Sequence, residues 1–419
     1  MKKISGLIIS LMLIISLTMP VSYAQYKEKG VAEIYSKNSI LVDQLTGRVI
    51  TEKDADESVP LASISKVMTF YVAQDALAAG EVKENDLVTI TKDMLKVSGS
   101  TMHLKEGEKV KFIELLKGLM LVSANDGAIA IASHVCNGDV DAFVDRMNEK
   151  AKKIGMKNTY FINPNGLPIY DWSKPEGTPP KQNHSSARDI SKMAIALLDD
   201  YEEETIEITS KRMDKDSSRD FNYYNTNPLI VYPNVDGLKT GYTDLAGYCL
   251  VFTNKMSSKG EDVPENRMIG VVMGNWCKED RVKSATALYK LGENYHTEKI
   301  CKKGDNVASG CIEDIDELQN ISLQAKDDCC AVIKDNEEYT EKVKYKKIDG
   351  SINENTVVAE LEYIDEYGDV ISSVDLVSSD LGSISILSRL NLFAKKVMRA
   401  VNMDKTDEKK ELPYSVVVF

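Results

Sequence analysis

Strand-favouring segments at the two ends of a helix-rich stretch constrain this chain most. Residues 39–51, SILVDQLTGRVIT, place Ile40-Leu41-Val42 and Val49-Ile50 on either side of Leu45-Thr46-Gly47, which predicts two strands joined by a turn. Residues 247–256, GYCLVFTNKM, and 266–275, NRMIGVVMGN, flank a polar loop at 257–265 and predict a second strand pair. The sequence between the two pairs is largely helical. A helix is expected from Ser63 to Ala79, ended by Gly80. Phe112, Leu115, Leu116 and Leu119 recur at helical spacing in 111–122, and DGAIAIASHV and DAFVDRMNEKAKKIG add two more helices. A last helix is expected over Lys278–Tyr295. The pattern predicts one sheet with a helical cluster inserted between its early and late strands. From about Lys299 to Val377 the period switches to alternation, as in TVVAELEYIDEYGDVISSVDLVSS, with turns at Asp349-Gly350 and Tyr367-Gly368. This predicts a separate β-rich domain.

The start of the chain reads as a leader. Lys2 and Lys3 precede an apolar run, Ile4–Met19, and Ser22-Tyr23-Ala24 supplies small residues for cleavage after Ala24. An uncleaved anchor is the alternative, and both imply export. A net charge of −13 over 419 residues speaks against nucleic acid as a partner. Seven scattered Cys do not form a disulfide framework in a chain this long and are read mostly as buried thiols. The four His, at 103, 134, 184 and 296, match no zinc spacing, so no metal and no cofactor is expected.

Three short motifs stand out. In Ser63-Ile64-Ser65-Lys66, residues three apart share a helix face, so Ser63 and Lys66 are neighbours and Ser65 points away. A Ser hydroxyl needs a base to become a nucleophile, and Lys is a base only if burial or a nearby cation lowers its pKa. The apolar run after Lys66 supplies burial, and the helix N-terminus supplies a positive field. Ser63 as a simple N-cap is the competing reading. Ser123-Ala124-Asn125 falls in a short interhelical loop, where it is either part of a cleft or a turn and cap. Lys239-Thr240-Gly241 precedes a strand and offers a charge, a hydroxyl donor and a missing side chain, a carboxylate site if it is not an exposed turn. Each motif is weak alone. The order S-x-x-K, S-x-N, K-T-G is that of penicillin-binding proteins and class A β-lactamases. His184 in NHSSARDISKMA is read as structural, paired with Asp189, and Ser185 and Ser186 as caps.

Longer stretches carry a resemblance to one family. PLASISKVMTFYVAQDAL, GSTMHLKEGEKVKFIELLKGLMLVSANDGAIAIA, MNEKAKKIGMKNTYFINPNGLP, HSSARDISKMAIALL and VDGLKTGYTDLAGYCLV resemble the low-molecular-weight penicillin-binding proteins, serine-type D-alanyl-D-alanine carboxypeptidases. The likeness spans about residues 35–300. It implies an α+β, β-lactamase/transpeptidase-like catalytic domain, followed by a small β-rich domain. It further implies that Ser63 is acylated by a peptidoglycan stem peptide, that Lys66 accepts its proton and that Ser123 relays a proton to the leaving D-alanine. Asn125 would hold Lys66 and the substrate amide, and Lys239 and Thr240 would bind the terminal carboxylate. The backbone N–H groups of Ser63 and Tyr242 would form the oxyanion hole, such donors lowering a barrier by about 3 kcal/mol each. β-Lactam antibiotics would acylate Ser63. Ala124 stands where a Gly is often found, and Tyr242 where many members have His. A β-lactamase is the nearest rival, but no Glu lies in the loop around FINPNGLPIYDW, and Glu176 comes late amid prolines. A non-catalytic wall-binding protein retaining the fold is the other.

In LGSISILSRLNLFAKKVMRAVN (381–402), Ile386, Leu387, Leu390, Phe393, Ala394, Val397, Met398 and Val401 share one helical side. Arg389, Lys395, Lys396 and Arg399 lie opposite, and no acidic residue interrupts them. This predicts a helix lying on an anionic membrane surface, with packing on the β-rich domain as the alternative. The expected organisation is a signal peptide (1–24), a catalytic domain (25–298), a β-rich domain (299–380), an amphipathic interface helix (381–405) and a tail of unassigned role (406–419).

Overall fold

The computed structural model describes residues 34–314, 317–346 and 355–378. The expected leader, the helix at 381–402, the tail and the turn at Asp349-Gly350 lie outside the described residues. Strands β1 (Asn38–Asp43), β2 (Val49–Lys53), β3 (Val235–Thr243), β4 (Gly247–Lys255) and β5 (Arg267–Asn275) form one antiparallel sheet in the order β2-β1-β5-β4-β3. Early β1 therefore pairs with late β5, Ile40 opposite Val271 and Val42 opposite Ile269. Every residue of β1 is buried, as are all but Gly274 in β5. Consecutive side chains of a strand point to opposite faces, so both faces of these strands are covered. Strand β3 is one of the sheet's two edges, and it carries Lys239-Thr240-Gly241.

The inserted cluster comprises α1 (Ser65–Ala78), α2 (Phe112–Leu121), α3 (Asn125–Val135), α4 (Val140–Lys153) and α5 (Ala187–Thr209). After β5 comes α6 (Lys278–Gly292). Helix α1 is central: only Asp75, Leu77 and Ala78 escape burial, so it has no polar face and no amphipathic period. Helix α4 is the opposite case. It turns Phe143, Val144, Met147 and Ala151 inward, and Asp139 caps it by accepting from Ala142 N at 3.0 Å. The helix expected from Ser63 begins instead as a 3₁₀ turn, Ala62–Ile64, with α1 proper from Ser65.

The alternating C-terminal sequence forms β6 (Tyr295–Cys301), β7 (Asn306–Asp314), β8 (Glu317–Ala325), β9 (Cys329–Lys334), β10 (Tyr339–Tyr345), β11 (Val357–Asp365) and β12 (Val370–Ser378). Five of them make a sheet in the order β7-β8-β12-β11-β10 around Leu323, Ala331, Leu361 and Leu376. The turn at Tyr367-Gly368 joins β11 to β12, with Gly368 at φ 85°. Strand β6 pairs with β9 and, in parallel, with Ser257–Lys259, so it crosses the expected boundary at 298/299. Arg48, from the β1–β2 turn, bonds the Val332 carbonyl and the Glu337 carboxylate of the β-rich part. A cavity of about 640 Å³ beside this junction is lined by residues such as Thr46, Lys299 and Cys330, none of them a predicted site residue.

Candidate active site

The 3₁₀ turn puts Ser63 one helical turn before Lys66. Lys66 Nζ lies 2.9 Å from Ser63 Oγ, although Ser63 belongs to the turn and Lys66 to α1. No side chain caps either helical segment, so the N-cap reading of Ser63 gives way to this contact. Ser65 points elsewhere, as expected. Its Oγ donates to the Ala62 carbonyl at 2.8 Å and accepts from Asn183 Nδ2 at 2.8 Å.

Lys66 is fully buried and makes two further contacts. Its Nζ donates to Asn125 Oδ1 at 2.7 Å and to the Asn165 carbonyl at 2.6 Å. A neutral amine has two N–H bonds and one lone pair. The two carbonyl oxygens take the N–H bonds, which leaves the lone pair for the Ser63 hydroxyl. Burial pushes the Lys66 pKa well below its ordinary value, and the charge of Lys239 pushes it the same way. Asp126 opposes them, but its carboxylate is already engaged by the backbone N–H groups of Met102, Leu104 and Gly127.

Ser123 and Asn125 sit where α2 passes to α3. Ser123 adopts φ 63°, a left-handed conformation uncommon for a residue with a Cβ. This bend lets Ala124 N reach the Gly118 carbonyl at 3.0 Å and Asn125 N the Ser100 carbonyl at 2.8 Å. Asn125 Nδ2 donates to the Ser98 carbonyl at 2.6 Å, which fixes its Oδ1 toward Lys66. Ser123 is almost fully buried.

The K-T-G strand closes the other side. A Cβ on Gly241 would stand 3.1 Å from Ile64 N and 3.2 Å from the Leu61 carbonyl, so glycine lets β3 lie this close to the Ser63 turn without displacing it. Lys239 is buried, with Nζ 3.0 Å from the Thr240 carbonyl, and Thr240 Oγ1 donates to Thr226 Oγ1 at 2.8 Å. Burial, then the neighbouring Arg281 guanidinium, lowers the Lys239 pKa to about 7. With Lys66 neutral, Arg281 and the protonated fraction of Lys239 give this crevice a positive field in an acidic chain, one that draws anions. Tyr242 is exposed, stacked on Tyr248 with centroids 4.2 Å apart, and its hydroxyl donates to Asp244 Oδ1 at 2.6 Å.

All eight predicted positions therefore fall on three segments that meet: Ser63 and Lys66, then Ser123 and Asn125, then Lys239, Thr240, Gly241 and Tyr242. Five contributors were not foreseen. The Asn165 carbonyl holds Lys66, and Thr69 Oγ1 anchors the same loop through the Pro164 carbonyl at 2.6 Å. Gly166, at φ 83°, packs so tightly that a Cβ would overlap the Ala62 carbonyl at 1.9 Å. Asn183 binds Ser65, and the Arg281 guanidinium adds to burial in lowering the Lys239 pKa. The polar cluster FINPNG was the visible signal for the loop; no signal marked Arg281. His184 requires a correction. It lies in a two-residue strand and its Nδ1 meets the Gln182 carbonyl at 2.9 Å, whereas Asp189 accepts from Asn158 N and Thr159 Oγ1. Ser186 is the N-cap of α5, but Ser185 bonds Thr159 Oγ1 instead. Among the described residues no cluster of His, Cys, Asp or Glu could hold a metal ion.

Comparison with known proteins agrees with this geometry. The profile of the D-alanyl-D-alanine carboxypeptidase family matches residues 24–276, more than half of the chain. D-alanyl-D-alanine carboxypeptidase DacF of Bacillus subtilis is 34% identical over 314 residues, covering 73% of this chain and 75% of its own length. Penicillin binding protein 5 from Haemophilus influenzae superposes with a TM-score of 0.68 at 28% identity, over 84% of this chain and 98% of that one. Penicillin-Binding Protein D2 from Listeria monocytogenes, solved in an ampicillin-bound form, gives a TM-score of 0.53 at 25% identity, over 63% of this chain and 99% of that one. The chain belongs to the D-alanyl-D-alanine carboxypeptidase family.

Proposed function

We infer that this protein is a serine D-Ala-D-Ala carboxypeptidase that removes the terminal D-alanine from peptidoglycan stem pentapeptides through an acyl-enzyme on Ser63, and that β-lactams acylate the same residue. The reading is carried by one observation: a buried amine with both N–H bonds engaged sits 2.9 Å from a serine hydroxyl. Lys66 takes the Ser63 proton as Oγ attacks the carbonyl between the two D-alanines. The backbone N–H groups of Ser63 and Tyr242 receive the developing oxyanion. Ser123 passes a proton to the departing amine, and water then hydrolyses the ester. Lys239 and Thr240 hold the free carboxylate, which restricts the crevice to chain ends. Asn125 orients Lys66 and the substrate amide.

The direct test is release of D-alanine from a pentapeptide ending in D-Ala-D-Ala, together with stable labelling by fluorescent penicillin that Ser63→Ala abolishes. Well-folded wild-type protein that neither releases D-alanine nor labels would sink the reading in favour of a wall-binding scaffold. Sustained, rapid nitrocefin hydrolysis would favour the β-lactamase. Glu176, the glutamate that such a reading would recruit from this loop, is exposed on its proline-rich arm.

The family acts on cell-wall peptidoglycan, outside the cytoplasm. We place this chain on the outer face of the cytoplasmic membrane, supported by the leader-like start and the basic amphipathic stretch at 381–402. Among the described residues no helix is long and apolar enough to cross a membrane. Flotation with anionic vesicles, lost on deletion of 381–419, tests the surface attachment.

A further inference from the structure

Beyond the K-T-G strand lies a groove of about 340 Å³, of whose lining the reaction above uses only the Tyr242 N–H. Leu167, Pro168 and Tyr170 form one wall, and Tyr242, Asp244 and Leu245 the other. Each wall is stiffened by a stacked aromatic pair: Tyr170 on Trp172 with centroids 5.5 Å apart, Tyr242 on Tyr248 at 4.2 Å. The volume is at the lower end of the roughly 300–1,000 Å³ usual for ligand sites, enough for one long side chain. Among the described residues lining it, Asp244 carries the only charge. Its Oδ1 accepts from the Tyr242 hydroxyl, so Oδ2 is the oxygen left to face a ligand.

Which part of the substrate reaches this groove follows from direction. On the reading above, the terminal carboxylate sits at Lys239 and Thr240 and the scissile carbonyl at the Tyr242 N–H. The substrate thus runs along β3 from its C-terminus toward Thr243. An extended chain advances about 3.4 Å per residue. The penultimate D-alanine spans the step past Tyr242, and the residue before it comes level with Thr243–Leu245.

We propose that this groove receives the side chain of the residue preceding D-Ala-D-Ala, and that Asp244 selects a long aliphatic side chain ending in an ammonium over one that is acylated or ends in a carboxylate. The apolar walls take the methylenes and Asp244 the terminal charge, in the way long basic side chains ordinarily bury their stems. The inference rests on the assignment of Lys239, Thr240 and Tyr242 given above. Asp244 is exposed, so solvent screens the interaction, and the discrimination it supplies is about two- to fivefold.

The test is kcat and KM for D-alanine release from synthetic pentapeptides that differ only at the residue before D-Ala-D-Ala: lysine, Nε-acetyl-lysine, norleucine and glutamate. The lysyl peptide should show a KM two- to fivefold below the acetylated and norleucyl peptides, and the glutamyl peptide a KM above them, with kcat little changed. In Asp244→Asn the lysyl-to-norleucyl ratio should collapse to about one, and in wild type the ratio should shrink as salt rises from about 0.1 M to 1 M. Equal kcat/KM for all four peptides, or a lysyl preference that survives both Asp244→Asn and high salt, overturns the groove assignment and leaves the carboxypeptidase reading standing. Release of D-alanine from none of them overturns both.

Discussion

Replacing Lys66 by Met separates its chemistry from its structural role. The substitution nearly conserves volume and deletes three contacts, to Ser63 Oγ at 2.9 Å, Asn125 Oδ1 at 2.7 Å and the Asn165 carbonyl at 2.6 Å. Two buried acceptors lose this donor, at about 1–3 kcal/mol each. Against this, the variant no longer has to strip water from an amine that the unfolded chain holds protonated. At neutral pH this cost is about 1.4 kcal/mol for each unit between the unfolded pKa and the pH, up to about 5 kcal/mol for an amine held neutral in the fold. The opposing contributions are of similar size, so the fold should survive with a melting temperature within a few degrees of wild type. Acylation should not survive. A positioned base contributes about 10²–10⁴-fold, or roughly 3–5 kcal/mol of barrier. The assay is the time course of fluorescent-penicillin labelling, with thermal unfolding as the control. A pH series adds a second check. With an ordinary pKa near 10.4, the free base would gain about tenfold per pH unit up to that value. Because burial and Lys239 lower the Lys66 pKa, the wild-type rate should level off well before that. Labelling of Lys66→Met within tenfold of wild type, or a wild-type rate that keeps climbing through pH 10, would refute the reasoning.

Two glycines and a second lysine offer further checks. Gly166→Ala places a Cβ 1.9 Å from the Ala62 carbonyl at φ 83°, so it should move the Asn165 carbonyl off Lys66, cutting the labelling rate at least tenfold and lowering the melting temperature. Gly241→Ala meets its nearest atoms at 3.1–3.2 Å, a milder clash. It should slow acylation several-fold with little change in stability; equal effects from the two substitutions would contradict the geometry. Lys239 has a folded pKa of about 7 against an ordinary 10.5, so between those values the unfolded chain binds more protons and stability rises with pH. Wild type should therefore gain about 3.5 kcal/mol relative to Lys239→Met from pH 7 to pH 10. Parallel stability curves in chemical denaturation would show that Lys239 is not buried as described.

The parts legible in sequence are those in which a residue's role depends on its immediate neighbours. Ser63 and Lys66 lie one helical turn apart, so a helical reading alone makes them adjacent, and it works even though a 3₁₀ turn replaces the first turn of the helix. The sheet was legible because early and late strands each carry β-branched runs, and in the fold β1 pairs with β5 and both are buried. The unread parts depend on the remote backbone. Asn165 contributes a carbonyl, which every residue type has, so its identity does not mark the role. Arg281 lies in α6, read from sequence only as a closing helix, yet its guanidinium adds to burial in lowering the Lys239 pKa. The His184–Asp189 pairing failed for a related reason. Asp189 is drawn to the backbone of Asn158, a partner that helical spacing could not suggest. The boundary at 298/299 falls inside β6, because that strand continues the alternating pattern from one part of the chain into the next.

The lowered pKa of Lys239 conflicts at first sight with a role in binding a carboxylate. A group with a pKa near 7 is only about one-eleventh protonated at pH 8, and a neutral amine is a poor anion site. The conflict disappears once the ligand is counted among the charges. Burial and Arg281 disfavour the Lys239 cation in the empty crevice, but a carboxylate a few ångströms away favours it and restores the pKa toward its ordinary value. Binding at pH 8 should therefore take up about 0.9 proton. Above pH 7 affinity should fall by up to tenfold per unit until the liganded pKa is reached. Calorimetric titration of Ser63→Ala with an acyl-D-Ala-D-Ala peptide, in buffers of different ionisation enthalpy, measures the uptake directly. The same peptide with a C-terminal amide should show none. If the acid and the amide took up the same number of protons, Lys239 would not be the group that meets the carboxylate. The positive charge of the crevice would then have to come from Arg281 alone.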